Sequence, residues 1–174
     1  LELAEDPEFD FYLLADSTEN VDQLAEAARK YLLKKPIQIL VELGFPGGRT
    51  GCRNMELALE VARRVQSNEP NLSLRGVEGY EALLRAQPEP EKSIRDFLED
   101  LNLLAQRCSE EGLFGEGAVI LSAGGSDFFD LVLDQLEAPS GKQEVIRVIR
   151  SGCYLTHDSL NYSRIFEKIR KRSP

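Results

Sequence analysis

The chain has 174 residues and a formal net charge of −9. That length suits one domain able to bury a sizeable core, and the acidic balance argues against a nucleic-acid surface. No apolar run is long enough to span a bilayer, and the opening Leu1-Glu2-Leu3-Ala4-Glu5-Asp6 does not read as a signal peptide. Cys52, Cys108 and Cys153 are odd in number, widely spaced and free of a C-x-x-C pair, which reads as reduced thiols in a cytoplasmic protein. With His157 the one histidine and no tryptophan, a Ser-His triad or a His-rich metal site is poorly supplied. Chemistry in such a chain falls to a cofactor.

In chain order, Phe9 to Ala15 reads as a strand and ends in the helix-capping cluster Asp16-Ser17-Thr18. Val21, Leu24, Ala25, Ala28 and Leu32 recur at helical spacing and predict a helix over residues 20–33, stopped by Lys34-Lys35-Pro36. Ile37 to Leu43 is a second strand. A loop with four glycines follows, Gly44 to Arg53, and Asn54 caps a helix whose buried face is Met55, Ala58, Ala62 and Val65. Leu72 to Val77 is a third strand, ending in Glu78-Gly79-Tyr80-Glu81. A polar connector from Arg85 to Glu91 leads to a long helix marked by Ile94, Phe97, Leu98, Leu101, Leu104, Ala105 and Cys108. Ala118 to Leu121 is a fourth strand, followed by Ser122-Ala123-Gly124-Gly125-Ser126 and a short helix from Asp127 to Leu136. Glu144 to Arg150 is a fifth strand, ending in Ser151-Gly152-Cys153, with a last helical stretch within Asn161 to Arg170.

Strands alternating with helices signal βαβ units around a parallel sheet, an α/β fold. The glycine-containing loops all follow strands, so they gather at the strand carboxyl ends, where barrels and open α/β sheets both place their sites. A whole (β/α)8 barrel takes roughly 250 residues, so five strand–helix units form either an open sheet or part of a barrel.

Several residues at these ends suit an anionic ligand. In the loop from Gly44 to Arg53, glycines free backbone amides, and Arg49 and Arg53 add charge; an ordinary strand-to-helix turn is the plain alternative. Gly124, Gly125 and Ser126 before a helix offer two amides and a hydroxyl, a phosphate cradle or a simple turn, and Gly152-Cys153 offers two more amides. Arg150 ends an apolar strand, either as a solvated charge or as a cation aimed at a ligand. Tyr80 holds the matching place after the third strand. His157 reads as structural. A cofactor held as an imine needs a desolvated lysine, and none of Lys30, Lys34, Lys35, Lys92, Lys142, Lys168 and Lys171 stands at a strand end.

Four stretches in order carry a resemblance: Val41-Glu42-Leu43-Gly44 with Gly48-Arg49-Thr50-Gly51-Cys52; Gly76-Val77-Glu78-Gly79-Tyr80-Glu81; Ser122-Ala123-Gly124-Gly125-Ser126; and Arg150-Ser151-Gly152-Cys153-Tyr154 with Asp158. Together the chain resembles the central part of the fold-type III pyridoxal-phosphate enzymes, and within them the branch of D-threonine aldolase, D-serine dehydratase and amino-acid deaminase.

The resemblance implies a partial alanine racemase-like (β/α)8 barrel of five to six units over residues 1–174, with pyridoxal 5'-phosphate at its mouth. It implies phosphate contacts from Gly124, Gly125 and Ser126 and from the amides of Gly152 and Cys153. Arg49 lies near the cofactor, Tyr80 beside the pyridine ring, and Arg150 at the place of the racemase arginine that faces the ring nitrogen. The aldolase and dehydratase branch often lacks that arginine. The family lysine falls on a strand before residue 1, and a C-terminal β domain, which carries metal ligands in that branch, follows residue 174. The expected parent is a cytoplasmic, homodimeric pyridoxal-phosphate lyase acting on a small amino acid, without nucleic-acid or membrane partners. The alternatives are an amino-acid racemase, a non-catalytic pyridoxal-phosphate-binding barrel, and a plain α/β ligand-binding domain without the cofactor.

Overall fold

A computed structural model describes residue 6 and residues 9–125, 127–150 and 159–172. Its elements are β1 (Tyr12–Ala15), α1 (Thr18–Lys30), β2 (Ile37–Leu43), α2 (Met55–Gln66), β3 (Leu72–Gly79), a 3-10 turn (Ala82–Ala86), α3 (Pro90–Glu110), β4 (Val119–Ala123), α4 (Phe129–Gln135), β5 (Val145–Ile149) and α5 (Ser159–Arg172).

Local chemistry sets most of these bounds. The Ser17 hydroxyl accepts from the Asn20 amide at 3.2 Å and opens α1. The Asn54 side chain accepts from the Leu57 amide at 2.8 Å and opens α2, each satisfying an otherwise orphaned donor. The connector expected from Arg85 to Glu91 is shorter than its sequence suggests, because α3 already begins at Pro90. In the first turn a proline's missing N–H costs nothing. β1 likewise starts at Tyr12 rather than Phe9, whose ring instead stacks on Phe11 with centroids 6.0 Å apart.

All five strands are parallel, and their order is β1-β2-β3-β4-β5. Consecutive helices α1 to α4 pack side by side on one face. A doubly wound sheet reverses its strand order and covers both faces, whereas a barrel adds each strand next to the last beneath one layer of helices. The open-sheet alternative therefore falls, and the arrangement is a run of consecutive barrel units.

The register sorts side chains into two faces. Val41, Val77 and Leu121 lie in one row toward the helices and are buried. They meet Val21 and Ala25 of α1, Ala58, Val61 and Val65 of α2, and Ile94, Leu98 and Leu101 of α3 in one core. The opposite, concave face carries the row Leu14, Leu40, Gly76, Ile120 and Ile146. Leu40 and Ile120 in its middle are buried, while Leu14 and Ile146 on the outer strands are 47% and 45% exposed. β3 bulges where Ile39 pairs with Leu74 but Leu40 with Gly76. The extra residue, Arg75, reaches Gln38 Oε1 at 2.7 Å and the Ala118 carbonyl at 3.0 Å.

Phe97 of α3 ties the helix layer to the strand ends. Its ring meets Phe45 of the glycine-rich loop edge-on at 5.6 Å. A Cβ placed on Gly79 would stand 2.6 Å from that ring, so the strand has no side chain where the ring lies. Replacing Phe97 by Ala is expected to cost about 3–5 kcal/mol, measured as a lower denaturant midpoint at unchanged slope.

Candidate functional site at the strand carboxyl ends

One row of polar side chains crosses the concave face just inside the mouth. Glu42 of β2 pairs in register with Glu78 of β3, Glu78 with Ser122 of β4, and Ser122 with Val148 of β5. Glu42, Glu78 and Ser122 are all buried. Buried charge needs an answer nearby, and Arg150, directly after β5, supplies it. Its Nη1 lies 2.5 Å from Glu78 Oε2, an ion pair, and donates to Ser122 Oγ at 2.8 Å; its Nη2 donates to the Gly79 carbonyl at 2.8 Å. The Arg150 side chain is 36% exposed. The guanidinium is held by acceptors on β3 and β4, while Arg150 itself stays exposed at the mouth.

The glycine-rich loop after β2 differs from its expectation as an anion site. Its amides are spent inside the protein: Gly44 N donates to the Cys52 carbonyl at 2.9 Å, Gly48 N to the Phe45 carbonyl at 2.9 Å, Gly51 N to Asp16 Oδ2 at 3.1 Å and Cys52 N to the Glu42 carbonyl at 2.7 Å. The Thr50 hydroxyl donates to Glu42 Oε1. Gly51 has φ +91, and a Cβ on it would lie 2.5 Å from Gly44 N. Glycine is required there by chain-on-chain packing. Arg53 caps the loop by donating to the Phe45 and Thr50 carbonyls at 3.1 Å. Arg49 is exposed and lines a small cleft with Glu42, Thr50 and Tyr80.

The Gly124 and Gly125 amides, read from sequence as a phosphate cradle, also have a protein acceptor. Gly124 N donates to Glu81 Oε2 and Gly125 N to Glu81 Oε1, both at 2.9 Å. Glu81 is fully buried. Tyr80 beside it is 41% exposed, and its ring would lie 3.3 Å from a Cβ on Gly125. The structure thus brings Tyr80, Gly125 and Arg49 to one side of the mouth. Ser126, Gly152 and Cys153 lie outside the described residues.

Sequence reasoning passed over Glu42, Glu78 and Glu81 as functional groups. The available signal was a carboxylate inside apolar strand sequence, as in Val41-Glu42-Leu43 and Val77-Glu78-Gly79. Burial pushes the Cys52 and Cys108 thiols up to about 12, so neither serves as a thiolate nucleophile. Among the described residues, no group of three or more His, Cys, Asp and Glu is placed to hold a metal. A cavity of about 830 Å³ lies elsewhere, between the start of α3, Phe128 and α5. It shares none of the residues named at the mouth.

Glu78 is the titrating member of the row. Burial raises its carboxyl from 4.5 to about 7, against the pull of Arg150 and with the help of Glu42. The folded protein then binds the Glu78 proton more tightly than the unfolded chain does. Its contribution to stability is complete below the unfolded value of 4.5 and is lost as pH rises through about 7. Glu78→Gln removes this titration. Unfolding free energies measured across that window should shift steadily in favour of the variant relative to the parent as pH rises; a constant gap would contradict the assignment.

Residues 2–134 match the family described as alanine racemase, N-terminal domain. No curated protein matches the chain. Among solved structures, D-threonine aldolase from Filomicrobium marinum superposes with TM-score 0.62 at 18% identity, covering 90% of this chain and 39% of its own. D-threo-3-hydroxyaspartate dehydratase from Delftia sp. HT23 gives 0.57 at 18% identity, covering 91% and 38%. Alanine racemase from Bacillus anthracis gives 0.51 at 15% identity, covering 86% and 35%. At these identities the superpositions speak for the fold, and the chain spans well under half the length of each of these proteins. The match over most of the chain, with the sequential parallel strands beneath one helix layer, places it in a family: the chain belongs to the alanine racemase N-terminal domain family.

Proposed function

We propose that this chain is the ligand-holding part of a pyridoxal-phosphate-dependent enzyme of small amino acids, a lyase of the aldolase or dehydratase kind. The observation that carries the reading is Arg150, fixed at the barrel mouth by Glu78, Ser122 and Gly79 with Tyr80 standing nearby.

The ring side of the cofactor fits this arrangement. Arg150 has donors beyond those its protein partners use and cannot be deprotonated. It would meet the pyridine nitrogen as a fixed donor, and Tyr80 would flank the ring. The phosphate side fits only in part. The Gly124 and Gly125 amides already answer Glu81, so phosphate contacts fall to the remaining loop residues proposed, Ser126, Gly152 and Cys153. When bound, pyridoxal phosphate supplies an electron sink for the substrate's α-carbon. Tyr80 and Arg150 would hold and orient the ring, and Glu78, which titrates near neutrality, pairs with Arg150 at the same mouth.

Arg150 favours racemisation as a second reading, because a permanently charged donor at the ring nitrogen disfavours its protonation and so weakens the sink. Under either reading the parent is a cytoplasmic homodimer with a C-terminal β domain able to bring a divalent metal, and residues 1–174 are its partial barrel. Their coverage of 39% of the D-threonine aldolase chain supports this division. Among the described residues, no helix is long and apolar enough to cross a membrane.

None of the lysines lies in a strand or in the loop directly after one, so the covalent attachment point belongs elsewhere in the parent. Borohydride reduction of the full-length protein with pyridoxal phosphate, followed by peptide mapping, is expected to fix one cofactor per chain on a lysine outside residues 1–174. A single stoichiometric adduct on a lysine within this chain, or no adduct at all, would defeat the reading.

A further inference from the structure

Glu81 is an acid with no sequence-level reason to be buried. It follows β3 by two residues, its side chain is fully enclosed, and among the described residues it has no cationic partner. Its two oxygens instead receive two successive backbone amides, Gly124 and Gly125, each at 2.9 Å. Gly124 has φ +104. That conformation turns neighbouring amides to the same side and forms an anion nest, here filled from within the protein. The residues beside Glu81 in sequence also touch this loop: a Cβ on Gly125 would lie 3.1 Å from Ala82 Cβ and 3.3 Å from the Tyr80 ring.

We propose that Glu81 is a positioning residue of the ligand site. Its carboxylate is the resident anion of the loop after β4, so Gly124 and Gly125 make no contact with a ligand anion and serve to hold Tyr80 in place at the mouth. A phosphate on the same two amides would stand against a carboxylate at van der Waals range, where like charges repel strongly once shielded from water. Resident carboxylate and ligand phosphate therefore exclude each other at this nest. The ligand part of the inference rests on the pyridoxal-phosphate reading of the mouth; the clamp itself does not.

The test uses full-length protein labelled with 15N, as the parent and as Glu81→Gln, with pyridoxal phosphate and with pyridoxal, which lacks the phosphate. Glutamine keeps one acceptor but turns an NH2 group onto the second amide, so at least one of Gly124 and Gly125 should exchange with solvent at least about tenfold faster, the scale of one lost hydrogen bond. In the parent, the two amides should be protected and respond alike to pyridoxal phosphate and pyridoxal. In Glu81→Gln the affinities for both ligands should fall by the same factor, because the lost contact is that of Tyr80 with the ring. Resonance shifts of Gly124 and Gly125 specific to the phosphate, or a fall confined to pyridoxal phosphate, would show that these amides hold the ligand and would overturn the inference. Unchanged exchange in Glu81→Gln, or faster exchange with both affinities intact, would overturn it too. A parent that binds neither ligand defeats the proposed function, and the exchange rates then decide the clamp alone.

Discussion

A buried carboxylate is costly unless something answers it, and among the described residues three are buried at one end of the sheet: Glu42, Glu78 and Glu81. Each is answered differently, and each answer ties down a separate loop. Glu42 takes the Thr50 hydroxyl and so closes the glycine-rich loop after β2. Glu78 takes the Arg150 guanidinium and so fixes the end of β5. Glu81 takes two amides and so fixes the loop after β4. The mouth is organised by acids reaching sideways to the loops of other strands, and its shape depends on those pairings more than on glycine flexibility.

The fold makes such pairings possible. Parallel strands in sequential order bring every strand-to-helix loop to one end, and one layer of helices leaves the concave face to the polar row. Behind that row the concave face turns apolar, with Leu40 and Ile120 buried and the outer Leu14 and Ile146 half exposed. At the amino ends, Arg75 in its bulge links Gln38 to the carbonyl before β4. The helix side is held by ordinary packing, reinforced by Phe97 between the glycine-rich loop and α3. Far from the mouth, the buried pair of Arg172 and Asp130, at 2.6 Å and 2.8 Å, docks α5 on α4.

Chemically, the mouth holds a fixed cation, a carboxyl that titrates near neutrality and an exposed phenol, and among the described residues no activated thiol. Groups of this kind orient and tune a bound group better than they attack a substrate unaided. That agrees with membership of the alanine racemase N-terminal domain family.

The sequence by itself determined the elements, their alternation and the end of the sheet where the strand-to-helix loops gather. Asn54 as a cap, the apolar period of α3 and the run from Ile37 to Leu43 are contacts within one or two turns of chain, so they are legible locally. The four stretches of resemblance pointed to the family for the same reason, each lying within a dozen residues of chain. Tertiary structure alone decided the rest. Barrel order over open sheet depends on which strands become neighbours, and strand composition is the same in both. Whether a glycine amide is free for a ligand depends on its acceptor: Gly124 meets Glu81 from 43 residues away, and Gly51 meets Asp16 from 35. Arg150 reaches Ser122 across 28 residues and Gly79 across 71. Periodicity and capping report on neighbours along the chain, whereas the partner of a buried polar group is set only when distant strand ends are brought side by side.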